Sequence, residues 1–165
     1  MWCNLKENTK YQLEAIARHC NAQKLTISCA ESCTGGGLAF YLTELPGASA
    51  WFEQSFVTYA NSAKEILVGV PEVTLEEHGA VSKQTVKAMA QGLVSRYGCD
   101  LGIGISGIAG PSGGTPDKPV GLVWFGLCYR GKLITDSQVF AGGRSEVRMA
   151  AIEHAITLIA NTLIT

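Results

Sequence analysis

At 165 residues, 47% of them hydrophobic, the chain has the length of one domain (residues 1–165) with a core large enough to fold unaided. Lys and Arg number 13 against 14 Asp and Glu, and this formal net charge of −1 excludes a nucleic-acid surface built on bulk positive charge. The apolar share suits a compact chain and not a disordered one, no repeat or low-complexity run appears, and no apolar stretch is long enough to cross a bilayer.

Leu13, Ile16, Ala17 and Cys20 recur at helical spacing and predict an amphipathic helix over residues 7–20. An apolar run predicts a first strand at 25–30, and a helix at 38–45 ends near Pro46-Gly47. A second strand is predicted at 55–59, then a helix at 63–68 closed by Gly69 and Pro71, and a further helical turn at 75–78. Residues 82–97 read as a long helix with Val86, Met89, Ala90, Leu93 and Val94 inward. A glycine-studded strand at 101–105 leads into an irregular loop over 107–119. Strands at 120–129 and 133–140 form a hairpin about Arg130-Gly131-Lys132, and a closing helix covers 145–163. Helices that precede, separate and follow strands, with a terminal hairpin, predict a three-layer α/β/α architecture on a mixed β-sheet.

Four segments break local rules. Ala30-Glu31-Ser32-Cys33-Thr34-Gly35-Gly36-Gly37 puts three glycines at the start of a helix, each costing about 0.8–1 kcal/mol against alanine. Such a turn serves as a tight connection or as a site where Ser32, Thr34 or Cys33 and unpaired amides meet a ligand. In Tyr59-Ala60-Asn61-Ser62-Ala63-Lys64-Glu65, Ser62 and Glu65 fit a capping box, which places Lys64 in the first turn. There the helix dipole disfavours a cation; Lys64 is then either a solvated surface lysine or, if buried, a neutral general base for a serine. Arg144 and Arg148 lie four apart near the start of the last helix, an arrangement that a bound phosphate or carboxylate relieves. The loop from Gly107 to Pro119 carries Gly110, Gly113 and Gly114 among three prolines and is long enough to cover or bind something.

Other motifs fail. Gly102-Ile103-Gly104-Ile105-Ser106-Gly107 spells the dinucleotide fingerprint but runs into a Pro-rich loop instead of a helix. Gly104-Ile105-Ser106-Gly107-Ile108 misses the last glycine of a nucleophile elbow. Cys3, Cys20, Cys29, Cys33, Cys99 and Cys128 form no C-x-x-C pair, and His19, His78 and His154 are scattered. No metal site or disulfide framework is expected; the thiols read as reduced core residues and the histidines as structural or surface groups. The charged opening residues lack the apolar stretch of a secretory signal, so a cytoplasmic location is expected.

The ordered set Ala30 to Gly36, Tyr59 with Asn61 and Lys64, Gly79-Ala80-Val81-Ser82, Gly107 to Pro111, Gly113-Gly114 and Lys118-Pro119-Val120-Gly121 resembles the carboxyl-terminal domain of the CinA (competence/damage-inducible) family, over about residues 13–163. That domain also occurs alone as nicotinamide mononucleotide deamidase. The resemblance implies an amidohydrolase of pyridine nucleotide recycling, without metal or cofactor and as a homo-oligomer, whose partner is a pyridine mononucleotide. It implies Ser32 as nucleophile, Lys64 as base and Tyr59 as assistant or relay. Substrate is expected against Cys33, Thr34, Gly35, Gly36 and Asn61, with phosphate at Arg144, Arg148 or the Gly110, Gly113 and Gly114 loop. Gly143 stands where the family pattern has aspartate, Ala60 where serine is frequent, and Pro116 where a more acidic run is common. The rival readings are a non-catalytic mononucleotide- or phosphate-binding regulatory module, and a hydrolase with Cys33 as nucleophile.

Overall fold

A computed structural model describes residues 5–164; residues 1–4, Cys3 among them, and Thr165 lie outside it. The elements are α1 (Glu7–Gln23), β1 (Ile27–Glu31), α2 (Gly37–Leu42), β2 (Phe52–Val57), α3 (Asn61–Val68), α4 (Glu72–His78), α5 (Lys83–Tyr97), β3 (Leu101–Gly107), β4 (Leu122–Tyr129), β5 (Lys132–Val139) and α6 (Arg144–Leu163). One five-stranded sheet has the order β2-β1-β3-β4-β5. β1 lies parallel to β2 and β3, while the β3–β4 and β4–β5 pairs are antiparallel. The sheet is therefore mixed, as expected. Helices α1, α2 and α6 close a core on one face through Leu13, Ile16, Leu38, Ile103, Phe125 and Ile156. Helix α5, with α3 and α4 against it, covers the other through Val68, Leu75, Val86, Met89 and Leu93.

Element ends follow local chemistry. α1 runs past Cys20 and stops at Lys24, whose φ of 53° is left-handed. β2 begins earlier than the predicted strand and releases the chain after Val57, so Thr58 and Tyr59 lie outside the sheet. Ser82 caps α5 by accepting the Thr85 amide at 3.1 Å. The expected capping box at Ser62 and Glu65 does not form. α3 starts at Asn61 behind Ala60, no side chain caps it, and the Ala60 carbonyl already accepts the Lys64 amide at 3.2 Å. The β4–β5 hairpin turns on Arg130 and Gly131, both at positive φ. Cys20, Cys29, Cys33, Cys99 and Cys128 are free, buried thiols. His154, expected at a boundary, is half-buried, 2.6 Å from Asp136 and packed on Phe125 and Phe140.

The glycines of β3 explain the false dinucleotide fingerprint. Gly104 pairs with Ala30 on one side and Gly126 on the other, making a flat row of small residues beneath α5. A Cβ at Gly104 would sit 2.7 Å from the Met89 Cβ and 2.9 Å from the Val86 carbonyl oxygen. One at Gly126 would collide with the same carbonyl. The glycines bring a helix onto the sheet, not a phosphate onto the chain. Gly104→Ala is expected to cost about 1–3 kcal/mol of stability, the usual penalty of overpacking, and urea unfolding will show it as a lowered midpoint with unchanged slope.

Candidate active site

Three chain segments converge at the carboxyl ends of β1, β2 and β3, the edge where open α/β sheets take ligands. Ser32 follows β1 directly, and its amide donates to the Ile105 carbonyl of β3 at 3.0 Å. Thr58, just past β2, donates its amide to the Glu31 carbonyl at 2.8 Å. Lys64 sits in the first turn of α3, from which a helical side chain leans back toward the helix start. That direction carries its amine to Thr58 and Tyr59.

Lys64 is only 1% exposed. Its Nζ lies 2.8 Å from the Thr58 carbonyl oxygen, 3.1 Å from that of Tyr59 and 3.3 Å from Ser32 Oγ. Among the described residues no carboxylate comes within ion-pair range of it. Burial lowers its pKa from the ordinary 10.5, opposed only by the nearby Cys33 thiol. A neutral amine has two N–H donors and one lone pair. Two carbonyls take the donors, and the third direction points at the Ser32 hydroxyl, which can donate to the lone pair. This is the geometry of an amine held ready to accept a serine proton.

The turn after Ser32 is fixed by a residue the sequence reading passed over. Glu31 is fully buried, and its carboxylate accepts the amides of Gly36 at 3.1 Å, Leu38 at 3.0 Å and Ala39 at 2.9 Å, with the Ser55 hydroxyl at 3.3 Å. It thus caps α2 from the preceding strand. Gly35 and Gly36, at φ of 61° and 91°, are required because the backbone passes through the left-handed region there. Their amides are spent inside the protein: Gly35 donates to the Ser32 carbonyl and Gly36 to Glu31. The Cys33 and Thr34 amides are taken by neither Glu31 nor a backbone carbonyl and lie against the Cys33 thiol. Burial raises that thiol to about 11, so at neutral pH it is protonated and a poor nucleophile.

A cavity of about 350 Å³ opens here. It is lined by Ser32, Cys33, Tyr59 and Lys64, by Gly110 and Gly113 of the long loop, and by Arg144. Thr34, Gly35, Gly36, Asn61, Gly114 and Arg148 do not line it. Gly114 instead packs where a Cβ would lie 2.8 Å from the Val120 nitrogen. Arg148 spends Nε on the Cys33 carbonyl at 3.0 Å and a terminal nitrogen on that of Thr34 at 3.1 Å. It braces the turn from behind. Arg144 donates to the Gly110 carbonyl at 2.9 Å and meets the Tyr59 hydroxyl at 3.3 Å. Tyr59 is 60% exposed at the rim; its carbonyl holds Lys64, while its phenol bonds Arg144 and neither Ser32 nor Lys64. Ala80, Val81, Ser106, Gly107, Ile108, Ala109 and Ser112 complete the wall. Of these, all but Ser106 and Ser112 lie in segments that the resemblance singled out.

Known proteins place this geometry in context. The family model described as the CinA C-terminal domain matches residues 10–163. A protein of Enterobacter agglomerans named nicotinamide-nucleotide amidohydrolase PncC is 52% identical over 126 residues, 76% of this chain and 77% of that one. The protein of the same name from Escherichia coli K12 is 46% identical over 144 residues, 87% of each chain. The crystal structure titled competence/damage inducible protein CihA from Agrobacterium tumefaciens superposes with a TM-score of 0.92 at 37% identity, covering 98% of both chains.

Because three amides converge on the buried Glu31 carboxylate, Glu31→Gln puts an NH₂ among donors. It is expected to lower stability by about 2–3 kcal/mol in urea unfolding, with Glu31→Ala costing at least as much.

Proposed function

The chain belongs to the CinA C-terminal domain family, and we propose that it is a serine amidohydrolase that hydrolyses the carboxamide of nicotinamide mononucleotide to nicotinate mononucleotide and ammonia. The observation that carries this reading is the Ser32–Lys64 contact of 3.3 Å, with the amine buried, its pKa lowered by that burial, and its direction set by two carbonyls. A serine hydrolase of a primary carboxamide needs such a base, whereas a passive binding module gains nothing from a buried lysine without a counter-charge and bears its desolvation cost.

Ser32 Oγ attacks the carboxamide carbon while its proton passes to Lys64 Nζ. The developing oxyanion is met by the amides of Cys33 and Thr34 at the start of the turn. Lys64 returns the proton to the nitrogen, the C–N bond breaks, and ammonia leaves an ester on Ser32. Water then attacks that ester, giving its proton to Lys64; the serine oxygen leaves with that proton, and the carboxylate product is released. Arg144 keeps donors beyond its two protein bonds and stands at the cavity mouth, suited to the 5′-phosphate. Tyr59 supports this side through its phenol and the base through its carbonyl. We assign no substrate contact to Arg148, which is the turn's brace. Among the described residues no helix is long and apolar enough to cross a membrane. We take the enzyme to be a cytoplasmic homo-oligomer of pyridine nucleotide recycling.

Ser32→Ala is expected to abolish ammonia release from nicotinamide mononucleotide, and Lys64→Met to slow it about 10²–10⁴-fold, in a coupled ammonia assay. Because the working form of Lys64 is neutral and burial lowers its pKa, kcat/KM falls as pH drops through that lowered pKa and levels off above it. In Lys64→Met the amine's limb of the profile is lost. A reaction that keeps full turnover in Ser32→Ala contradicts serine catalysis.

A further inference from the structure

Three side-chain hydroxyls among the described residues are buried without a hydrogen-bond partner: those of Ser28, Thr34 and Ser106. Ser28 and Thr34 lie away from the cavity; Ser106 lines it. Ser106 is 1% exposed and is the next-to-last residue of β3, paired with Trp124 of β4. Ala30 pairs with Gly104 and Glu31 with Ile105, and the Ser32 amide extends that parallel register by bonding the Ile105 carbonyl. One step further along the same strands, Ser32 and Ser106 stand side by side on one face. Small residues at the preceding row of this face serve the approach of α5. Smallness alone, though, calls for glycine or alanine, as at Gly104 and Ala30. A hydroxyl that no protein group uses is costly in a buried wall, and such costs are retained where a ligand supplies the partner.

A primary carboxamide presents one acceptor oxygen and a nitrogen with two N–H donors. The turn amides serve the oxygen. The acceptors around the nitrogen are largely committed: the Thr58 and Tyr59 carbonyls hold Lys64, and the Gly110 carbonyl holds Arg144. Of the three buried hydroxyls left without a partner among the described residues, Ser106 Oγ is the one on the cavity wall. We propose that Ser106 is a further catalytic residue, whose hydroxyl accepts an N–H of the scissile carboxamide and holds the departing nitrogen beside Lys64. The proposal rests on the amidohydrolase reading above and extends it to selection of a primary amide over an ester of the same nucleotide. While the Ser32 oxygen bonds to the carbonyl carbon and the C–N bond breaks, Ser106 neither gains nor loses a proton; it orients nitrogen to receive the one on Lys64.

The test compares Ser106→Ala with wild type on nicotinamide mononucleotide and on the methyl ester of nicotinate mononucleotide. Both substrates form the same acyl-enzyme, so kcat/KM isolates the step in which they differ. The ester has no N–H to donate. Ser106→Ala is expected to lower kcat/KM for the amide about 10- to 100-fold and for the ester no more than about 3-fold, the loss of one hydrogen bond in a desolvated site. Its pH profile keeps the Lys64 limb, and its melting temperature equals or exceeds that of wild type, because no protein group loses a partner. Equal losses on both substrates, an unchanged amide rate, or a variant that melts earlier or does not fold would each overturn the assignment. Wild-type enzyme that cleaves neither substrate, or Ser32→Ala that still cleaves them, instead removes the underlying reading and this inference with it.

Discussion

Burial of an amine without a counter-charge is the constraint around which this site is arranged. A lysine in that position is stable only if its hydrogens are used and its charge is given up, since desolvation disfavours the ammonium form. The chain meets the first condition by leaving β2 at Val57, so that the carbonyls of Thr58 and Tyr59 turn toward Lys64 instead of pairing in the sheet. Toward the second, no carboxylate among the described residues lies within ion-pair range of the amine, and burial lowers its pKa. In the neutral form one lone pair remains to the amine, and Ser32 Oγ stands 3.3 Å from it. Strand exit, helix start and the position of Ser32 are thus one local solution.

Glu31 and Arg148 hold the other half of the site, and each does so by spending charge on backbone. The carboxylate gathers three amides of the α2 start, and the guanidinium takes two carbonyls of the turn. The earlier peptides of the turn are held by their carbonyls and the later ones by their amides. A turn clamped in this way presents Ser32 and the amides after it with little freedom to rearrange, which is what stabilising a developing oxyanion requires. The small-residue row beneath α5 adds rigidity from the sheet side, since the long helix sits directly on β3 and β4.

Much of this was legible in the chain because local rules were broken visibly. Glycines at a helix start and a lysine in a first turn marked Ser32 and Lys64, and alternation of helices and strands with a final hairpin marked the layered mixed sheet. Glu31 was not legible, because a carboxylate that caps the next helix from a strand leaves no spacing pattern; its partners are amides that every residue has. Ser106 was hidden because a serine among glycines reads as packing. Arg144 and Arg148 share a helical face, yet a separation of one turn, about 5.4 Å, sends one to the cavity mouth and the other behind the turn. Ser62 and Glu65 carry the letters of a capping box, but the helix has already begun at Asn61 and Ser62 lies inside it.

The charge on Lys64 is the quantity to measure. Following the ¹⁵N signal of its Nζ by NMR across about pH 6 to 11, assigned by its loss in Lys64→Met, reports the protonation state directly. A neutral amine that becomes ammonium only at a pH clearly below the ordinary 10.5 is the predicted result. An ammonium signal persisting up to that ordinary value would contradict the account, because no base would then face Ser32.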